Sequence, residues 1–175
     1  GFDRPESLER FHLVRAMNVL RGYSAAECLA AYPQWADWVE EQGTLIEGTT
    51  DPTGAMGSFF CFQKSGNRLA LNALVLTTDF SRGFAPWAFR DWCPKVWRRG
   101  LPADSPWYGF LADWNEAWEA TRAEAGTQDE VFERSLSALS RVRNDVVFEL
   151  EGEAEVRGWV TWRLPPGILL ERQES

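Results

Sequence analysis

Apolar residues recur along this chain in two periods, and the switches between them mark its elements. From Trp107 to Trp118 the apolar positions are Trp107, Phe110, Leu111, Trp114, Ala117 and Trp118. Their spacings of three and four predict a helix with one buried stripe. Ser105 stands where a cap belongs and Pro106 where a first turn begins. Asp113, Glu116, Glu119 and Arg122 fall off the stripe, and Gly126 is the expected stop. Thr127-Gln-Asp-Glu130 forms a capping box, after which Phe132, Leu136, Leu139 and Val142 keep the helical period. Upstream, Pro86 opens a shorter helix carrying Trp87, Phe89 and Trp92. Pro94 cannot lie inside that helix, so a break is expected near Cys93, followed by a short turn through Trp97.

Between residues 58 and 78 the period changes to two. Ser58 to Gln63 reads as a strand built on Phe59, Phe60, Cys61 and Phe62, and Lys64-Ser-Gly-Asn67 as a turn. Arg68 to Thr78 is apolar on both faces, with Leu69, Leu71, Ala73 and Val75 alternating with Ala70, Leu74 and Leu76. Such a strand is expected at the centre of a sheet. The two form a hairpin. A second hairpin is predicted from residues 146–150 and 156–164 around Glu151-Gly-Glu-Ala154. Trp159 and Trp162, three apart on its strand, should point to opposite faces. Glu149, Glu151, Glu153 and Glu155 alternate along it as a solvent face that discourages edge pairing.

The first 43 residues read as helical. Asp3 with Glu6 resembles a capping box, and Leu8, Phe11, Val14 and Leu20 continue with helical spacing to Gly22. Ser24 with Glu27 caps a short helix over residues 25–31. Pro33 then starts a third helix, carrying Trp35, Trp38 and Val39, that stops at Gly43. The segment ECLAAYPQWADWVEE, residues 27–41, resembles a helical pair found in accessory regions of some bacterial regulatory proteins, including sigma-factor regulators. That resemblance implies a protein-interaction role. Gly48 to Gly57 reads as a loop. Together the elements predict one α+β domain spanning 1–175. It has a helical N-terminal segment 3–43, a central hairpin 58–78, a tryptophan-rich helical segment 84–143, a C-terminal hairpin 145–164 and a short tail. Its sheet is expected to be antiparallel, with about four strands from the two hairpins, packed against several helices.

Composition narrows the function classes. The chain is 45% hydrophobic and 25% charged, as ordinary globular domains are. Its net charge of −8 opposes general affinity for nucleic acid or an anionic membrane. Cys28, Cys61 and Cys93 form no CxxC pair, and their apolar surroundings suggest reduced thiols in a cytoplasmic protein. The segment GFDRPESLERFHL lacks a signal-peptide apolar run, and no apolar run approaches transmembrane length. The glycine-rich GTTDPTGAMG lacks the GK[ST] ending of a phosphate-binding loop. A single histidine, His12, set among Phe11, Leu13 and Val14, precludes a two-histidine metal site and reads as structural. No GxSxG, GxGxxG or HExxH occurs. No catalytic residue, metal ligand or cofactor is nominated.

Two places remain as candidate sites. Six of the ten tryptophans lie between Phe84 and Trp118. There, Trp87, Trp92 and Trp97 alternate with Arg90, Lys95, Arg98 and Arg99. This pattern fits a basic-aromatic surface for an anion, a nucleotide or a partner's acidic patch. The plainer account is core tryptophans beside a solvated charged face. Asp79 and Arg82 lie in the loop TTDFSRGF, where a strand hands over to a connection. The plainer account there is a turn in which Asp79 caps the chain and pairs with Arg82. Paired-carboxylate catalysis leaves no local signature to test. The reading that results is a binding domain for another protein of unidentified nature. The alternatives are a small-ligand binder or enzyme with a tryptophan-lined pocket around Asp79 and Arg82, or a nucleic-acid binder using Arg90, Lys95, Arg98 and Arg99.

Overall fold

In the computed structural model, which describes residues 9–98, 101–124, 126–149 and 158–164, the alternating segments assemble into one six-stranded sheet. Its strands are β1 (Phe11–Met17), β2 (Val39–Thr50), β3 (Met56–Ser65), β4 (Arg68–Thr78), β5 (Val146–Glu149) and β6 (Gly158–Arg163). The spatial order is β1-β2-β3-β4-β6-β5. β1 runs parallel to β2, and every other neighbouring pair is antiparallel. Both predicted hairpin pairs lie in this sheet, joined where β4 pairs with β6 from Ala73↔Arg163 to Thr78↔Gly158. The α+β class holds, but the sheet is mixed and has six strands rather than about four.

The two extra strands come from the N-terminal segment 3–43 that reads as helical. β1, FHLVRAM, has apolar residues at positions that suit either period, and pairing with β2 decides the matter. His12 is therefore on a strand, its exposed ring 2.7 Å from Glu40. In β2 the helix-facing positions are Leu45, Glu47 and Thr49, all buried, so the inward set is mostly polar and the alternation is invisible. The loop expected over Gly48 to Gly57 shrinks to a turn after Thr50, with β3 beginning at Met56. Residues 27–41 are not a helical pair. One helix, α1 (Ala25–Ala36), opens on the Ser24–Glu27 capping box and contains Pro33, and Val39 already belongs to β2. Lys64 Nζ donates to the Ala36 carbonyl and closes the helix's last turn. Because a parallel pair needs a crossover, α1 is the connection that makes β1 and β2 parallel.

The remaining helices follow the sequence closely. A 3-10 segment spans Pro86–Trp92, α2 covers Lys95–Arg98, and a break falls at Cys93 and Pro94. α3 (Pro106–Arg122) starts at Ser105, whose hydroxyl accepts from the Tyr108 amide, and ends four residues before Gly126. α4 (Gln128–Val142) opens on the Thr127–Glu130 box. The capping box expected at Asp3 to Glu6, the turn and acidic face expected over Glu151 to Glu155, and the tail after Leu170 lie outside the described residues.

All of these helices pack on one face of the sheet. Phe110 stacks on Trp162 at 4.6 Å, and Trp97 meets Phe60 edge-on at 4.9 Å. Trp97, Trp107, Trp114 and Trp162 are all buried in this core. Asp145 locks its rim: it accepts from Arg143 at 3.1 and 2.8 Å and from Trp162 Nε1 at 2.7 Å. Trp159 points the other way, as its spacing from Trp162 predicts, and meets Phe59 edge-on at 5.5 Å. Ile46, Phe59, Cys61, Val75 and Trp159 share that second face, on which no described helix packs. Among the described residues no helix is long and apolar enough to cross a membrane.

Candidate functional site

Pro94 ends the 3-10 segment and starts α2, its carbonyl accepting from the amides of Trp97 at 2.9 Å and Arg98 at 3.2 Å. Trp97 is driven into the core against Phe60 and Trp107, which fixes the orientation of this single turn. Its neighbours Lys95 and Arg98 are consequently presented at the surface, beside the 3-10 turn Leu20–Gly22, whose Leu20 is itself buried. Lys95 Nζ donates to the Arg21 carbonyl at 3.3 Å. The guanidinium groups of Arg21 and Arg98 lie 5.5 and 5.8 Å from the centre of the Trp92 ring. At such distances the ring face attracts each cation. Among the described residues, no carboxylate pairs with Arg21, Lys95 or Arg98.

These three cations rim a cleft whose floor is Glu47, Gly48 and Thr49 of β2, with Cys93 in its wall. Glu47 is only 2% exposed. Its hydrogen-bond partner among the described residues is the Tyr32 hydroxyl, which donates to Oε2 at 3.3 Å. Burial pushes the Glu47 carboxyl up to about 7, against the opposing pull of the Tyr32 bond. Burial likewise raises the Cys28 thiol to about 11 and the Cys93 thiol to about 12. Both thiols are therefore protonated at neutral pH and poor nucleophiles. A rim of cations over a carboxyl that is readily neutral favours an anion in the mouth. The free space within the cleft, about 10 Å³, is too small to enclose an organic substrate.

The other residues singled out in the sequence are placed elsewhere. Asp79 Oδ1 accepts from the Ser81 amide at 2.8 Å and locks a turn. Arg82 reaches Asp51 at 3.8 Å instead of Asp79, while Asp51 accepts from Thr53 at 2.7 Å. Neither Asp79 nor Arg82 lines the cleft. Trp97 is core, Trp87 is 40% exposed, and Arg90 lies 3.8 Å from Asp91. Arg99 lies outside the described residues. The structure thus brings Trp92, Lys95 and Arg98 together and adds Arg21 and Glu47, which the sequence reading had not singled out. A lone acid after Leu45-Ile46 was the available signal for Glu47. A larger hollow of about 490 Å³ is lined by Asp113, Arg143, Asp145 and Arg163, and the first three of these engage one another. Comparison of the chain with protein-family models, with curated proteins and with solved structures finds no match.

Proposed function

We propose that this protein is a binding domain for an acidic partner protein, recognised through Arg21, Trp92, Lys95 and Arg98. The observation that carries this reading is three clustered cations without a carboxylate partner among the described residues, in a chain with 26 acidic and 18 basic residues. In so acidic a protein, carboxylates to neutralise such a cluster are plentiful, so leaving it open keeps it available to another molecule. Two guanidinium groups held against Trp92 keep little rotamer freedom, which lowers the entropy lost on binding. Arginine and tryptophan are also the residues that most often dominate interfaces. The free thiols Cys28, Cys61 and Cys93 support a reducing, cytoplasmic setting.

A local patch of this kind suits a short acidic segment better than a long polyanion, which would meet the remaining negative charge. The test is calorimetry with a glutamate-rich peptide at low and at physiological salt. Saturable, salt-sensitive binding by the wild type, weakened at least about tenfold in Lys95→Ser/Arg98→Ser, is the expected result. Equal affinity in the two proteins would overturn it. Gel shifts with duplex DNA and RNA run in parallel. Micromolar binding lost in the double variant would put the nucleic-acid reading in its place.

A further inference from the structure

A buried acid that lines the same cleft as three cations with no carboxylate partner among the described residues is an unusual placement, and the acidic-partner reading alone does not use it. Glu47 is 2% exposed and reaches the base of the cleft, while Arg21, Lys95 and Arg98 surround its mouth. An ionised Glu47 would repel any anion held by those cations. A protonated Glu47 would do the opposite: one oxygen accepts from Tyr32, which leaves the other free to carry an O–H that can donate to a bound group. Free space of about 10 Å³ within the cleft is enough for a single oxygen atom, so the rest of a bound group would lie in its mouth. A carboxylate of the partner has only two oxygens to share between floor and rim. A tetrahedral group can seat one oxygen on Glu47 and turn the others to the rim, where arginine forks and a lysine bind such groups well.

We propose that the cleft is a site for a tetrahedral oxyanion, a phosphate or sulfate group, with Glu47 as the proton-bearing donor at its floor. The inference rests on the reading that this surface meets an acidic partner, and it names the group on that partner: a phosphorylated side chain. Every titratable group around Glu47 fits a proton-linked site. Tyr32 and Cys28 face it from α1, Cys93 from the end of the 3-10 segment, Lys95 and Arg98 from α2, and Arg21 from the 3-10 turn after β1. Burial raises Tyr32 and both thiols far above neutrality, so Glu47 is the group there that changes charge near pH 7. Binding is accordingly strongest on the acid side and weakens as the pH rises and Glu47 ionises.

Sulfate is the probe of choice because it remains a dianion throughout, so any pH dependence belongs to the protein. Calorimetric titrations with sodium sulfate, at constant ionic strength in chloride, are run near pH 5.5 and pH 8.5. They use the wild type, Glu47→Gln and Arg98→Ser. The wild type is expected to bind sulfate at least about tenfold more weakly at the higher pH. Glu47→Gln, which is neutral and still has an N–H to donate, is expected to bind equally at both. Arg98→Ser is expected to lose at least about tenfold at both. Absence of saturable binding by the wild type overturns the proposal, as does wild-type pH dependence in Glu47→Gln. A phosphoserine peptide and its unphosphorylated form provide a second arm. Tighter binding of the phosphopeptide than of sulfate identifies a protein-borne group, and equal binding identifies the free anion. If the glutamate-rich peptide binds and sulfate does not, the oxyanion site fails while the acidic-partner reading stands. Sulfate binding without peptide binding has the reverse meaning.

Discussion

Replacing Glu47 with Gln should make the protein more stable at alkaline pH, although it alters a buried residue with a hydrogen bond to Tyr32. In the unfolded chain the carboxyl titrates near 4.5, and in the folded protein burial moves it to about 7. The folded state therefore holds the proton more tightly. Its contribution to stability is fully present below pH 4.5 and is lost as the pH rises through about 7. At 1.36 kcal/mol per pH unit, ionising this buried group at pH 8 costs roughly 3 kcal/mol. Gln fills the same space, and its carbonyl can accept the Tyr32 bond that the carboxyl accepts. Exchanging that bond for one to a neutral amide loses roughly 1 kcal/mol. The variant should thus exceed the wild type by about 2 kcal/mol at pH 8 and fall within about 1 kcal/mol of it near pH 4.5. Urea unfolding followed by tryptophan fluorescence, in buffers free of sulfate and phosphate, gives both curves. Their difference cancels every other titrating group. A difference that stays constant with pH, or a variant several kcal/mol less stable at pH 8, would refute the assignment of Glu47 as a buried, proton-binding acid.

Three further outcomes follow from the packing. Trp114 is fully buried among Phe84, Phe89, Phe110 and Phe132 and donates to Ser135, so Trp114→Ala should cost about 3–5 kcal/mol in urea unfolding. Arg98 is half-buried with its guanidinium over the Trp92 ring and no carboxylate partner among the described residues, and Arg98→Ser should change stability by less than about 1 kcal/mol while weakening anion binding. Burial alone would raise the Asp145 carboxyl, but Arg143 and the Trp162 N–H hold it below its usual value. Asp145→Ala should therefore cost about 2–4 kcal/mol at pH 7, and less as the pH falls through the depressed folded value, measured by thermal unfolding at several pH values.

How legible the fold was depended on whether local pattern and tertiary burial agreed. α3 and α4 were readable because their caps, stripes and buried faces coincide: Ser105 and Thr127 cap, and Trp107, Phe110, Trp114, Phe132 and Leu136 are buried. β3 and β4 were readable because both of their faces are apolar, as interior strands of a broad sheet require. β1 and β2 were not. β1 is an edge strand with Leu13 58% exposed, so its apolar residues do not sort by face. β2 places Glu47 and Thr49 in the core beside Leu45, so hydropathy alone carries no period of two there. Gly48 adds to the disguise, since it reads as the start of a loop. Its missing side chain is in fact required mid-strand, because a Cβ there would lie 2.2 Å from the Ser58 carbonyl oxygen.

The same residue that hid β2 is the one around which the candidate site is built, and the coincidence has a physical basis. A strand specified by hydrophobic alternation would place an apolar side chain at position 47, next to Leu45 on the helix-facing side. Putting a carboxyl there gives up burial energy and forces the group toward its neutral form, so the local rule is broken at a cost of a few kcal/mol. Tyr32 supplies one hydrogen bond, which offsets only part of that cost. The packing of α1 on β2 needs a hydrogen-bond acceptor for Tyr32 at this position but not an ionisable one, since Gln would fill the volume and accept the same bond. In the proposed site the compensation comes from above the sheet, where Arg21, Lys95 and Arg98, without a carboxylate partner among the described residues, line the cleft. Each half of the arrangement is unfavourable alone: unpaired cations repel one another, and a buried acid resists ionisation. A bound oxyanion, as proposed, would satisfy both at once, neutralising the rim and accepting a hydrogen bond from the protonated carboxyl. The basic-aromatic half could be read from WCPKVWR, because charge and tryptophan are adjacent in sequence. The acidic half could not, because it takes the pairing of β2 within the sheet to bring residue 47 into one cleft with residues 95 and 98.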